Sequence, residues 1–408
     1  MTDLGGVFLV FVYNNKKRYM KLFTFHISHF TLLLLFAASM LACSSDSDSP
    51  TPDPVIPAQR TIIAIFNGNN NLSSDLSNDI KEIADGSKGL SAATNIVVFA
   101  NLYGQKPYIA EMVNGKSTKV REWDKNAITT THPDTLLSVM QWIMSKYPAN
   151  EYGIVFGGHG TGSLTKGITD TGEHDTIPTT LRPAYAYGWD YNTTPTQKPR
   201  LWMNTGTLAA VISHLPERPR FIFFDCCLMQ DYDVACQFKK YTDYIIAPVS
   251  ETPSAGAPYK DITPLLTISD TEKMCDTLLT VYRDYCPICI SAIKTRDVDD
   301  LQVKTNAALQ EIKQNTALPY DYTKVIYYFV EANKTLQYDL KSFFYEQNQQ
   351  GNLSDATYNA FVGAFERCVF TSRKAQSWKT GANIHFTDFD VEDYNYGGLS
   401  ITKETIEK

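Results

Sequence analysis

Two short apolar runs in this chain each end in side chains that could do chemistry. The first, YGIVFGGHG, covers residues 152–160, and the second, FIFFDCCLM, covers residues 221–229. Each run is β-branched or aromatic and apolar on both faces, which predicts a buried strand of a mostly parallel sheet. In open α/β sheets, ligands bind beyond the carboxyl ends of the strands. A thiol attacks as its thiolate, which an imidazole can generate, so the pattern predicts a cysteine nucleophile with His159 as its base.

The glycines around His159 fit this chemistry. They let the backbone turn sharply and approach a substrate closely. The N–H groups of Gly160 and of the catalytic cysteine would form an oxyanion hole for an acyl-transfer intermediate. A lone histidine or cysteine at a strand end is usually structural, but the two together, each ending a buried strand, favour an active site.

The two motifs resemble those of the clostripain family, cysteine endopeptidases of the caspase–gingipain–legumain clan. In that family one strand ends in Gly-His-Gly and a later strand in Asp-Ala-Cys-Leu-Met. Cys226 stands where the family has Ala, and Leu228 and Met229 set the register, so Cys227 aligns with the nucleophile. The resemblance implies a caspase-like α/β/α sandwich with a mostly parallel central sheet and C-terminal helical and strand additions.

The rest of the chain agrees with an α/β fold, because strand-like and helix-like segments alternate. Strands are predicted at Thr61–Phe66 and Asn95–Leu102, a strand with its following turn at Tyr244–Pro253, and helices at Ser73–Ala84, Pro133–Tyr147, Asn204–Leu215, Ser269–Tyr285 and Leu301–Gln314. The first helix places Leu76, Ile80 and Ile83 on one face. Ser269 is the expected N-cap of its helix. Residues 187–191 resemble the stretch that precedes a helix in the family.

The resemblance implies an endopeptidase that cuts after Arg or Lys. Asp225 lies two residues before Cys227, on the same strand face by period-two alternation. By family analogy it lines the primary specificity pocket, where a carboxylate would pair with Arg or Lys. Two alternatives stay open, namely a catalytically inactive surface-binding lipoprotein of the same fold and a hydrolase of non-peptide amides.

The polar segment between the two motifs, Thr161 to Arg200, is long for a connection in a compact domain. Family members often mature by cleavage in such a loop, so we expect activation by a cut there. Candidate sites are Lys166, Arg182, Lys198 and Arg200. An uncut surface loop is the alternative.

The N-terminus indicates export. A basic start, an apolar run and a small residue before Cys43 predict a signal peptide over 1–42 that ends in a lipoprotein box, with Met20 as an alternative start. Diacylation of Cys43 would anchor the protein, and an uncleaved membrane anchor is the alternative. Residues 43–59 form a Ser/Asp/Pro tether before a peptidase domain over 60–408. The Ser/Asp run resembles the surface-export signal of Bacteroidetes lipoproteins, which implies an outer-membrane or cell-surface location; a periplasm-facing anchor is the other choice.

The net charge and the cysteine pattern limit which partners and metal ions the chain could bind. The net charge of −7 argues against a nucleic-acid partner, so we expect protein or peptide substrates. Cys286 and Cys289 form a CxxC without a second pair or a nearby His, which argues against a structural zinc site. We expect no cofactor and no metal site. Calcium enters only through the resemblance, because clostripain is calcium-dependent, and the chain has no EF-hand-like Asp spacing.

Overall fold

A nine-stranded sheet forms the centre of the protein in the computed structural model, which describes residues 57–164, 186–191, 201–286, 288–331, 334–375 and 396–408. Its strands are β1 (Ala58–Gly68), β2 (Thr94–Leu102), β3 (Tyr108–Val113), β4 (Lys116–Glu122), β5 (Ala149–Gly157), β9 (Phe221–Asp225), β10 (Tyr244–Pro248), β11 (Ile290–Lys294) and β14 (Val369–Arg373). Their order across the sheet is β14-β11-β10-β9-β5-β1-β2-β3-β4.

The middle of this sheet is parallel. Strands β10, β9, β5, β1 and β2 run in one direction, whereas β3 and β4 on one edge and β11 and β14 on the other are antiparallel to their neighbours. Strands β5 and β9 are adjacent, and Gly157 pairs with Asp225 at their carboxyl ends. The two predicted catalytic motifs therefore leave the sheet side by side, at the edge where α/β enzymes bind ligands.

Both faces of the sheet are covered by helices, because the central strands are apolar on both sides. In β1, Ile63 and Ile65 pack into one core layer, and Ile62, Ala64 and Phe66 into the other. The helices are α1 (Ser73–Gly86), α2 (Pro133–Lys146), α3 (Thr205–Ser213), α4 (Tyr232–Phe238), α5 (Tyr259–Leu265), α6 (Thr271–Tyr285), α7 (Val298–Asn315), α8 (Leu340–Gln349), α9 (Asp355–Cys368) and α10 (Lys403–Glu407). Helices α1, α5 and α6 cover one face, and α2, α3, α4 and α7 to α9 cover the other. The predicted α/β/α sandwich is confirmed.

Two small antiparallel sheets complete the fold. One consists of β6 (Gly160–Gly162), β7 (Ala186–Asp190) and β8 (Leu201–Asn204), and it begins directly after His159. The other consists of β12 (Tyr327–Glu331), β13 (Lys334–Asp339) and β15 (Ser400–Thr402), among the expected C-terminal additions. Residues 187–191 thus lie mostly in strand β7, and β8 leads directly into helix α3.

Local details refine the sequence predictions. Helix α6 is capped by Asp270, not by Ser269, because the Asp270 carboxylate accepts hydrogen bonds from the backbone N–H groups of Glu272 and Lys273. Strand β1 begins at Ala58, so the last two residues of the expected tether are in the sheet. The signal peptide, Cys43 and the tether up to residue 56 lie outside the described residues. Among the helices that the structure does describe, none has the length and apolar character needed to cross a membrane.

Candidate active site

His159 and Cys227 occupy equivalent places, each two residues beyond the end of its strand. Between them the backbones are in close contact. The Gly158 N–H group donates to the Asp225 carbonyl oxygen at 3.4 Å. A Cβ added to Gly160 would lie 2.6 Å from the Cys227 carbonyl oxygen and 2.9 Å from the Cys226 Cβ, so only glycine fits there. The structure therefore brings together the predicted base, nucleophile and oxyanion-hole residues.

The His159 ring is held on two sides. Its Nε2 atom lies 2.9 Å from the amide oxygen of Asn71, in the turn after β1. Its face stacks on Trp189 of β7, with ring centroids 5.1 Å apart and planes 14° apart. Because an amide oxygen only accepts, this contact favours a proton on Nε2 and leaves Nδ1 as the ring nitrogen available to act as a base. Sequence reasoning missed both Asn71 and Trp189.

A buried polar network fixes the strand that carries Trp189. The Asn70 amide donates to the Trp189 carbonyl oxygen at 2.8 Å. The next residue, Asp190, is fully buried and accepts hydrogen bonds from the backbone N–H and the hydroxyl of Thr130, both at 2.9 Å. Burial raises the pKa of the Asp190 carboxyl to about 7, although these hydrogen bonds act to lower it. The position of His159 thus depends on contacts that begin well away from the catalytic motifs.

The Cys227 thiol is partly exposed and contacts one residue of the loop after β10. Its Sγ atom lies 3.2 Å from the Thr252 hydroxyl and accepts a hydrogen bond from the Thr252 N–H at 3.3 Å. Burial raises the thiol pKa above its usual value, even though the contacts with Thr252 lower it. Because its pKa is raised, the Cys227 sulfur of the substrate-free protein is a neutral thiol. Thr252 is a further residue that the sequence did not indicate.

Cys226 has a different environment. It is fully buried, its Sγ donates to the Phe156 carbonyl oxygen at 3.2 Å, and burial raises its thiol pKa well above the usual value. A thiol enclosed in a core in this way is inert. Of the two adjacent cysteines, Cys227 is therefore the one that a substrate can reach.

Asp225 points into the layer formed by α1, α5 and α6. Its Oδ2 atom accepts from the Ala257 N–H and the Tyr259 hydroxyl, each at 3.0 Å, and Oδ1 accepts from the Tyr282 hydroxyl at 2.5 Å. Burial raises the carboxyl pKa in spite of these three bonds. The alternation argument does not extend to Cys227, because β9 ends at Asp225 and Cys227 lies in the following turn.

Asp79 of α1 lies beside Asp225 and was also missed. Sequence periodicity had picked out Leu76, Ile80 and Ile83 as the buried face of this helix, and position 79 belongs to the same face. A carboxylate among such apolar positions was the available signal. Burial, followed by the charge of Asp225, raises the pKa of the Asp79 carboxyl to about 9.

In the described part of the protein, no group of three or more His, Cys, Asp or Glu side chains is placed so that it could hold a metal ion. Cys286 and Cys289 are free thiols, as are the other cysteines in the described ranges. The four candidate cleavage sites, Lys166, Arg182, Lys198 and Arg200, lie outside those ranges.

The sandwich, with a thiol and an imidazole at adjacent strand ends, defines a protein of the caspase-like peptidase class. The clostripain family model matches residues 65–390, and the chain belongs to that family of cysteine peptidases. The family resemblance seen in the sequence is confirmed. No curated protein matches the chain.

Solved structures of proteases share the fold. An inactive zymogen protease from Parabacteroides distasonis is 22% identical, covers 85% of this chain and 92% of its own, and superposes with a TM-score of 0.65. A secreted cysteine protease from Bacteroides thetaiotaomicron, in complex with an irreversible peptide inhibitor, has the same identity and coverage and a TM-score of 0.66. A second structure of a secreted cysteine protease from that organism, named iotapain, is 19% identical, with coverage of 85% and 94% and a TM-score of 0.64.

Proposed function

We propose that this protein is a cysteine endopeptidase that hydrolyses peptide bonds after Arg or Lys, with Cys227 as nucleophile and His159 as general acid and base. The observation that carries the proposal is the placement of both residues just beyond the paired ends of β5 and β9, with Cys227 accessible and Cys226 enclosed in the core. Membership of a cysteine-peptidase family supports the same reaction class.

The chemistry starts from a neutral thiol. As Cys227 Sγ attacks the scissile carbonyl carbon, its proton passes to the His159 ring, whose Nδ1 carries the lone pair while Asn71 holds Nε2. The negative oxygen that develops is stabilised by the N–H groups of Gly160 and Cys227. The imidazolium then protonates the leaving amine, the C–N bond breaks, and water hydrolyses the resulting thioester.

Thr252 links the nucleophile to the specificity pocket. It contacts Cys227 Sγ, and the same loop continues to Gly256 and Ala257, which lie against Asp225. Two residues of extended chain span at most about 7 Å, so the Asp225 Cα lies within about that distance of the Cys227 Cα. A long cationic side chain placed before the scissile bond can bridge this distance, which supports a preference for Arg or Lys.

The decisive test is hydrolysis of a fluorogenic Arg-amide peptide by the full chain, before and after limited cleavage in the Thr161–Arg200 loop, and by two variants treated in the same way. Cys227→Ala should abolish hydrolysis and labelling by thiol-directed inhibitors. Cys226→Ala is the matched control and should keep most of both, because its sulfur is enclosed in the core. Loss of activity in Cys226→Ala alone, with normal folding, would reverse the assignment.

Activation and anchoring belong to the same proposal. Cleavage in the Thr161–Arg200 loop, at Lys166, Arg182, Lys198 or Arg200, would activate the enzyme, and the masses of the mature fragments would identify the cut. Diacylation of Cys43 would anchor the enzyme to the outer membrane or cell surface. The secreted relatives support an extracytoplasmic location.

A further inference from the structure

Asp79 is a buried carboxylate with an unused acceptor atom. Its side chain is only 3% exposed, and no described residue donates a hydrogen bond to its Oδ2 atom. Buried polar atoms are almost always paired, and leaving one unpaired disfavours the folded state. A buried carboxyl group in this condition beside a candidate active site is a candidate for substrate contact.

The unused oxygen lies against Gly256, the same residue that lies against Asp225. A Cβ built on Gly256 would lie 3.3 Å from Asp79 Oδ2 and 2.9 Å from Asp225 Oδ2. Gly256 also has a φ of +63°, so glycine is favoured there both by the backbone turn and by the two carboxyl groups that a side chain would meet. The loop that ends at Gly256 contacts the Cys227 sulfur through Thr252, so one loop lies against both the two carboxyl groups and the nucleophile.

Asp225 has little capacity left for a ligand. A carboxylate offers about four acceptor positions, and Asp225 already accepts three hydrogen bonds, two of them at Oδ2. It can therefore receive about one further donor. Asp79 Oδ2 has both of its positions open, so a planar guanidinium would find most of its acceptors there.

We propose that Asp79 is the second acidic residue of the pocket for the side chain before the scissile bond, and that its Oδ2 atom supplies the main hydrogen-bond acceptor for an Arg or Lys side chain. This inference rests on the proposed peptidase function and assigns a specificity residue to it. Asp225, tied to Tyr259, Tyr282 and Ala257, contributes one acceptor and the shape of the pocket floor.

The protonation of Asp79 gives the proposal a measurable consequence. Burial and the charges of Asp225, Glu82 and Asp75 raise the pKa of the Asp79 carboxyl to about 9, so the empty site holds a proton at neutral pH. The other titratable groups that interact with Asp79, Tyr259 and Tyr285, are phenols whose own pKa values are raised, and both are neutral. A cation that binds at Oδ2 must displace the Asp79 proton into solvent.

The test is titration of the full-length protein, before and after limited cleavage in the Thr161–Arg200 loop, with agmatine, which carries the guanidinium and alkyl chain of arginine, by calorimetry at pH 7.5. Repeating the titration in buffers of different ionisation enthalpy gives the number of protons released. The wild type should bind agmatine and release about one proton. Asp79→Asn should bind at least about tenfold more weakly and release none. Because the carboxyl is neutral in the empty protein, Asp79→Asn should fold normally, which its melting temperature checks.

Asp85→Asn is the matched control, since Asp85 is on the same helix and its side chain is 47% exposed. It should bind agmatine as the wild type does. Equal binding by Asp79→Asn and wild type, binding without proton release, or no binding to the cleaved wild type would overturn the proposal.

Kinetics separate this proposal from the peptidase function. If wild type and Asp79→Asn cleave Arg substrates equally well, Asp79 is not in the pocket and the peptidase proposal stands. If the wild type cleaves no Arg or Lys substrate but still binds agmatine with proton release through Asp79, the cation site stands and the proposed specificity falls.

Discussion

Replacement of Asp225 by Asn tests whether its charge serves specificity or stability. The pKa of this carboxyl is raised although three donors bind it, so burial outweighs the hydrogen bonds. A carboxyl whose pKa is higher in the folded than in the unfolded protein makes the folded state less stable above the unfolded pKa. At neutral pH the charge therefore opposes folding, and Asp225→Asn should leave the melting temperature unchanged or raise it.

The effect on catalysis should be opposite. Asp225 has about one acceptor position left for a substrate cation, which corresponds to one charge-assisted hydrogen bond of about 1.5–3 kcal/mol. At about 1.4 kcal/mol for each factor of ten, kcat/KM on Arg substrates should fall about ten- to a hundredfold. A Gln side chain in that position makes no charge-assisted bond with Asp225, so kcat/KM on the matched Gln substrate should fall far less.

The assay is the ratio of kcat/KM for matched Arg and Gln fluorogenic peptides, before and after the substitution, with the melting temperature measured alongside. The reasoning predicts a fallen ratio at constant or higher melting temperature. A lower melting temperature with an equal decrease on both substrates would show that Asp225 only ties the Tyr259 and Tyr282 hydroxyls together.

Two other predictions concern the base and the anchor. Asn71→Ala removes the acceptor at His159 Nε2, a hydrogen bond worth about 0.5–1.5 kcal/mol, so kcat should fall about two- to tenfold with little change in KM. Asn78→Ala, on the exposed side of α1, is its control, and an equal kcat in both variants would remove Asn71 from the site. Cys43→Ser should prevent fatty-acid labelling and release the protein from membranes. Continued labelling of that variant would contradict the lipoprotein interpretation.

Sequence reasoning succeeded where periodicity and strand ends carry the information. The runs that became β5 and β9 are apolar on both faces, and such runs have one stable place, inside a parallel sheet between two helical layers. Once they are adjacent, their ends must meet, so His159, Gly160 and Cys227 come together. No detail of side-chain packing was needed for that result.

The contacts around the catalytic pair depend on residues distant in sequence, which no local pattern reveals. Trp189 stacks on His159 because β7 pairs antiparallel with β6, and the polar segment between the motifs shows no period that would predict such a hairpin. Thr252 reaches Cys227 from the loop after β10. The N-cap of helix α6 is Asp270 and not the predicted Ser269 for a simpler reason. Ser and Asp both cap helices well, and a sequence pattern does not fix a helix end to within one residue.

Asp79 shows how a helix pattern can conceal a buried polar residue. Periodicity identified the buried face of α1 from its apolar members, and the same argument places Asp79 on that face. A buried carboxylate without a cationic partner either holds a proton or awaits a cation, because an isolated charge in a protein interior is strongly disfavoured. The raised pKa of Asp79 means that the empty protein holds the proton there. The Oδ2 atom beside Gly256, to which no described residue donates, is where a cation would bind. A polar residue on the apolar face of a helix that packs beside a predicted active site is therefore a residue to test for substrate contact.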